Sequence, residues 1–179
     1  MRVLLVSGST RGGSANTAAL VTAAALAPRE VTTVLYQGLA DLPAFNPDHD
    51  GDLLPEPAAE LRREIAVADA VLFCTPEYAG TLPGSLKNLL DWTVGGGQLY
   101  GKPVAWLNVA AANRGLGAQQ TLASVLGYVG AVIVEDACRH IPVDRSAIGP
   151  DGTVADPRFA AAVAETWTEL ARHAGQQPS

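Results

Sequence analysis

Val3-Leu4-Leu5-Val6-Ser7-Gly8-Ser9-Thr10-Arg11-Gly12-Gly13-Ser14-Ala15-Asn16 runs from an apolar stretch, through a loop of glycines, hydroxyls and one arginine, into an alanine-rich helical pattern without a spacer. A strand feeding a loop that opens a helix presents unpaired N–H groups and the positive end of the helix dipole. That arrangement receives phosphates. Gly8, Gly12 and Gly13 let successive amides turn inward around an anion. Ser9, Thr10 and Ser14 add hydroxyls, Asn16 an amide, and Arg11 a guanidinium whose planar fork matches phosphate oxygens. The stretch has neither the Gly-Lys-Ser/Thr of a nucleotide P-loop nor the G-x-G-x-x-G spacing of a dinucleotide fold. An ordinary strand-to-helix turn with Ser14 as N-cap is the plainer reading of the same residues.

Outward from this loop, residues 17–27 carry Leu20, Ala23, Ala24 and Ala27 on one helical face, with Pro28 as the stop. Residues 31–36 are rich in β-branched side chains and read as a second strand. A long loop over 38–57 holds the apolar plug Leu42-Pro43-Ala44-Phe45, a length that signals function or a covering role. Pro57 opens a helix with Ala58, Leu61, Ile65 and Ala68 inward, and the apolar run 70–74 suits a central parallel strand. After Thr75-Pro76-Glu77-Tyr78-Ala79-Gly80-Thr81-Leu82-Pro83 comes a helix striped by Leu82, Leu86, Leu89 and Leu90, broken at Gly95-Gly96-Gly97. Residues 103–109 form a fourth strand, 112–117 a third loop, and Leu122, Val125, Leu126 and Val129 a helix closed by Gly130. A fifth strand is expected over 131–134, irregular chain over 141–155, a last helix with Phe159, Val163, Trp167 and Leu170, and a polar tail over 174–179.

The alternation predicts an α/β domain spanning 1–179: a five-stranded parallel sheet in the order 2-1-3-4-5 with helices on both faces. In that order ligands bind beyond the strand C-termini, where the order reverses. The loops after the first, third and fourth strands then converge on one crevice.

Composition narrows the partner. With 48% hydrophobic and 17% charged residues the chain is globular, and a net charge of −6 with no basic run argues against nucleic acid. No signal-peptide pattern follows Met1-Arg2 and no apolar stretch approaches about 18 residues, so a cytoplasmic protein without a membrane span is expected. Cys74 and Cys138 read as buried free thiols, and His49, His140 and His173 lack metal-ligand spacing, so no metal site is expected. Pro76, Tyr78, Ala79, Gly80 and Leu82 offer flat apolar contact beside exposed backbone groups, and Gly115 and Gly117 allow close approach from the third loop. One phosphate and one broad, polar-edged ring describe flavin mononucleotide.

Gly8-Ser9-Thr10-Arg11-Gly12-Gly13-Ser14-Ala15-Asn16 resembles the G-S-x-R-x-G-S-x-N loop of the NADPH-dependent FMN reductases, a flavodoxin-like family with quinone, azo-dye and chromate reductases among its members. Thr75-Pro76-Glu77-Tyr78-Ala79-Gly80 and Leu86-Lys87-Asn88-Leu89-Leu90-Asp91-Trp92 are similar to its P-E-Y-N-G and L-K-N-x-x-D-W segments. The resemblance implies a flavodoxin-like three-layer sandwich in which Ser9, Arg11, Ser14 and Asn16 hold the FMN phosphate and Pro76, Glu77, Tyr78 and Gly80 line the isoalloxazine. Thr10, Ala15, Ala79, Asn113 and Gly115 complete the candidate cofactor set. A homodimer or homotetramer is implied as well. Ala79 departs from the family's Asn and removes a side-chain contact, and the third loop, Ala111-Ala112-Asn113-Arg114-Gly115-Leu116-Gly117, departs from a Ser- and Gly-rich pattern.

The expected activity is hydride transfer from NADPH or NADH to bound FMN and then to a small quinone, flavin, azo or similar acceptor, in a ping-pong cycle. The flavin carries this chemistry, so no catalytic side chain is required. A flavodoxin-type electron carrier and a flavin-free interaction module are the alternatives on the same fold. Several side chains admit two readings. Glu77 and Tyr78 contact flavin or begin a helix; Arg114 meets the pyridine nucleotide or is solvated; Trp92 belongs to the site or caps the core. Lys87, Asn88 and Asp91 lie off the leucine stripe and read as a surface or subunit contact.

Overall fold

The computed structural model describes residues 1–174. Strand parity sets its layers. β1 (Arg2–Ser7) sends Leu4 and Val6 to one face of the sheet and Val3 and Leu5 to the other, and all four are buried. β3 (Ala70–Cys74) continues the two rows with Val71 and Phe73 against Ala70, Leu72 and Cys74. A strand buried on both faces has to be apolar throughout, which is why 70–74 shows no alternation.

The Leu4 face is covered by α2 (Glu56–Val67), α3 (Gly84–Asp91) and α4 (Leu116–Tyr128). The opposite face is covered by α1 (Ala15–Ala25) and α5 (Pro157–Ala174), the latter through Phe159, Val163, Trp167 and Leu170. With β2 (Thr32–Leu35), β4 (Pro103–Asn108) and β5 (Val132–Ile133) the sheet is parallel in the order β2-β1-β3-β4-β5, as the alternation requires. α1 begins at Ala15 instead of residue 17 because Ser14 caps it, and α3 begins at Gly84, after Pro83. Gly130, at φ 71, closes α4 as expected: the Ala131 amide donates to the Leu126 carbonyl at 3.0 Å. The tail expected over 174–179 lies, from residue 175, outside the described residues, and Ala174 ends α5.

The far edge differs from the single strand expected over 131–134. β5 pairs with the start of β4, and a separate piece, β6 (Arg139–His140), pairs with its end. Between them a 3₁₀ turn over Glu135–Ala137 tucks Ala137 into the core. Two-residue pairings leave no periodicity in a sequence. Past β6 the chain keeps running along β4: the Ile141 amide donates to the Asn108 carbonyl at 2.8 Å and the Val143 amide to the Val109 carbonyl at 3.1 Å. Residues 141–155 are thus ordered, with a 3₁₀ turn over Arg145–Ala147 and an Ile148–Val154 bridge, and the Val154 amide donates to Thr22 Oγ1 on α1 at 2.7 Å.

The long loop over 38–57 is pinned by α3. Asn88 Oδ1 accepts from the Phe45 amide at 2.8 Å, while Asn88 Nδ2 and Trp92 Nε1 both donate to the Pro43 carbonyl, at 2.9 and 2.8 Å. Phe45 meets the Trp92 ring edge-on at 5.0 Å, and Trp92 is fully buried. Asn88 is therefore a loop clamp within the chain, and Lys87 and Asp91 pair with each other at 2.6 Å.

Candidate functional site

The first loop leaves β1 beside β3. The Gly8 amide donates to the Cys74 carbonyl at 2.9 Å, and a Cβ on Gly8 would stand 2.2 Å from Thr75 Oγ1. Only glycine lets the two strand ends close. Beyond it, Ser14 Oγ caps α1 by accepting the Thr17 amide at 3.0 Å, and Thr17 Oγ1 lies 2.9 Å from Ser7 Oγ. Asn16 is buried and its Oδ1 accepts from Cys74 Sγ at 3.4 Å. Burial pushes the Cys74 thiol up, so at neutral pH it is a protonated donor and no nucleophile.

What this loop leaves free is more telling. Among the described residues the amides of Gly12, Gly13, Ala15 and Asn16 donate to no protein acceptor. α1 has no acidic residue in its first turn, and among the described residues Arg11 meets no carboxylate. Free amides, one guanidinium and a helix dipole with no acidic residue in its first turn fit a phosphomonoester.

The second and third loops are bound to each other. Glu77 starts no helix of its own: its Oε2 accepts from the Gly117 amide at 2.8 Å and the Ala118 amide at 3.2 Å, so it supplies the N-terminal cap that Gly115 cannot give α4. A Cβ on Gly117 would lie 2.0 Å from the Gly80 carbonyl oxygen. Thr81 Oγ1 and Thr121 Oγ1 are 2.8 Å apart, a second tie. Between Tyr78 and Thr81, which exchange backbone bonds at 3.0 and 3.1 Å, Ala79 and Gly80 take φ 50 and 77. This is a two-residue turn of the mirror-image type that favours Asn-Gly. Asn at position 79 therefore has a conformational reason independent of any ligand. The buried Asn108 braces the third loop: its Nδ2 donates to the Arg114 carbonyl and Gln119 Oε1, both at 3.2 Å, and its Oδ1 accepts the Ala110 amide at 3.0 Å.

Two cavities flank the first loop. The smaller, about 230 Å³, lies toward β2 and is lined by Ser9, Thr10, Arg11, Gly12, Gly13 and Tyr36, among others. The larger, about 490 Å³, gathers all three loops: Ala15 and Asn16 from the first, Pro76 and Glu77 from the second, and Ala110 and Gly115 from the third. A volume of this order suits a small cofactor. Tyr78, Ala79 and Gly80 line neither cavity, Ala79 and Gly80 being exposed and Tyr78 55% so, and Asn113, at φ 63, is exposed within the third loop and lines neither as well. Ser14 and Asn16 are close to the expected seat, with side chains already engaged inside the protein. Two further contributors, Val143 and Arg145, come from the segment running past β6. No local pattern announced them, and Asn108 was legible only as part of the strand expected over 103–109.

A parallel sheet with this order, helices on both faces and three loops meeting where the order reverses define a flavodoxin-like protein. The chain belongs to the NADPH-dependent FMN reductase family, which its residues 1–144 match. It is 33% identical over 158 residues to a 2-hydroxy-1,4-benzoquinone reductase from a Burkholderia species, covering 86% of this chain and 85% of that protein. It is 34% identical over 144 residues to a quinone reductase of Pseudomonas putida, covering 78% and 74%. Among solved structures, the flavoenzyme NAD(P)H:(acceptor) oxidoreductase FerB from Paracoccus denitrificans superposes with a TM-score of 0.79 at 29% identity, over 96% of this chain and 98% of that one. The chain is thus an oxidoreductase of this family, and FMN with NAD(P)H as co-substrate fits the donor set above.

Proposed function

We propose that this protein uses FMN to pass electrons from NAD(P)H to a small quinone-like acceptor in a ping-pong cycle, as a single-domain homodimer or homotetramer in the cytoplasm. The observation that carries the reading is the set of uncommitted donors on the first loop, opening beside a cavity that three strand-end loops share. The relatives named for quinone reduction support the acceptor class.

In this reading Ser9, Thr10, Arg11, Ser14, Ala15 and Asn16 hold the flavin phosphate, with the amides of Ala15 and Asn16 and the Arg11 guanidinium as the main donors. Pro76, Glu77, Tyr78, Ala79 and Gly80 form the shelf for the ring, and Asn113 and Gly115 close the far end. FMN, when bound, supplies the hydride and electron chemistry. The chain's own work is positional. Glu77 holds the second loop on α4, Gly117 lets the two backbones meet, and Asn108 keeps the third loop in register. A pre-shaped shelf of this kind lowers the ordering cost of each binding event. Purified protein should be yellow or turn yellow with FMN, bleach on anaerobic NADPH, and recover colour with a quinone. A protein that binds FMN and is not bleached by NADPH or NADH would be an electron carrier instead.

A further inference from the structure

Arg114 has two open readings in the sequence, and the fold adds a second arginine to its cavity. Arg145, 31 residues later in the chain, lines the same 490 Å³ cavity. Most lysine and arginine side chains of this acidic chain meet a carboxylate, and Lys102 donates to the carbonyls of Ala66 and Ala68. Among the described residues Arg11, Arg29, Arg114 and Arg145 have no such partner, and three of these four line the cavities beside the first loop.

The carboxylates nearest to hand are engaged elsewhere. Glu77, which shares the cavity wall, is held by the amides of Gly117 and Ala118. Asp144, next to Arg145, accepts from the Ser146 amide at 2.8 Å and its hydroxyl at 2.7 Å, bonds that hold its carboxyl below the usual range. Two arginines that line one cavity without a carboxylate partner among the described residues, with the local carboxylates hydrogen-bonded to other donors, suit an anion.

We infer that Arg114 and Arg145 are a second anion seat, taking a phosphate of the incoming pyridine nucleotide. The inference rests on the flavin reading of the crevice. FMN carries one phosphate, which belongs to the first loop, and its oxidised ring brings no anion for a further pair. A quinone brings no phosphate either. The nucleotide brings a pyrophosphate and, in NADPH, a 2′-phosphate.

The test uses holoenzyme saturated with FMN, titrated with NADP⁺ and with NAD⁺, for the wild type, R114A/R145A and R114K/R145K. The alanine pair should lose about tenfold or more in nucleotide affinity, and the lysine pair should recover part of it with a steeper salt dependence. A loss confined to NADP⁺ assigns the seat to the 2′-phosphate; an equal loss for both nucleotides assigns it to the pyrophosphate. Unchanged affinity for both overturns the inference. So does a loss seen only in FMN titration of the apoproteins, which would give the pair to the flavin. FMN titration of wild-type apoprotein reports separately on the flavin reading, which falls if no binding is found.

Discussion

The loop after β1 and the pair of loops after β3 and β4 are both glycine-rich, and they use their donors in opposite ways. In the first, Ser14 takes the Thr17 amide, and the amides of Ala15 and Asn16 and the Arg11 guanidinium are uncommitted among the described residues. In the pair, the Gly117 and Ala118 amides at the head of α4 are both taken by Glu77 from forty residues upstream, and Gly117 lies under the Gly80 carbonyl. A helix N-terminus left open is a receptor for a ligand's charge; one closed by the chain's own carboxylate is a joint. The same local chemistry thus leaves donors open in one place and makes a rigid joint in the other.

That contrast can be broken by substitution. The largest effect is expected where backbone meets backbone: Gly117→Ala puts a Cβ against the Gly80 carbonyl and should cost about 3 kcal/mol, read as a fall in the melting temperature of the apoprotein. A stability near wild type would show that the two loops are not locked together. Next, Arg11→Ala should weaken FMN by one to two orders of magnitude, from the loss of a charged hydrogen bond of roughly 1.5–3 kcal/mol, while apoprotein stability hardly moves. Equal affinities in a flavin titration would remove Arg11 from the seat.

Glu77→Ala should do the reverse of Arg11→Ala, lowering stability without flavin by about 1–2 kcal/mol through loss of the α4 cap. If melting is unchanged and only flavin binding suffers, Glu77 belongs to the seat and the contrast collapses. The smallest effect sharpens the picture: Ala79→Asn should stabilise the apoprotein by about 0.5 kcal/mol, because Asn tolerates the left-handed backbone that Ala79 holds at φ 50. A gain that appears only with FMN present would instead make the family's Asn a ligand contact.

Much of the molecule was legible in advance, and the parts that were not share a cause. The strand order, both covered faces and the meeting of three loops follow from periodicity, since each strand and helix must bury its own apolar side. Glu77 was readable as an acid near a helix start, but the helix it caps is α4, reached only through the fold. Asn88 looked like a surface residue because its partners, Pro43 and Phe45, sit in a loop without a pattern. The split edge of β5 and β6 escaped because two paired residues have no period to detect.

The amino-acid order alone determined the α/β class, the alternation of buried rows and the glycine- and hydroxyl-rich loop that leads into α1, because those depend on neighbours within a few residues. Which donors stay open, and which side chains border the crevice, only the tertiary structure decided. Arg145 lines the same cavity as Arg114 because the chain past β6 runs along the end of β4, and a hydrogen-bonding group is free or occupied according to residues brought near it in space.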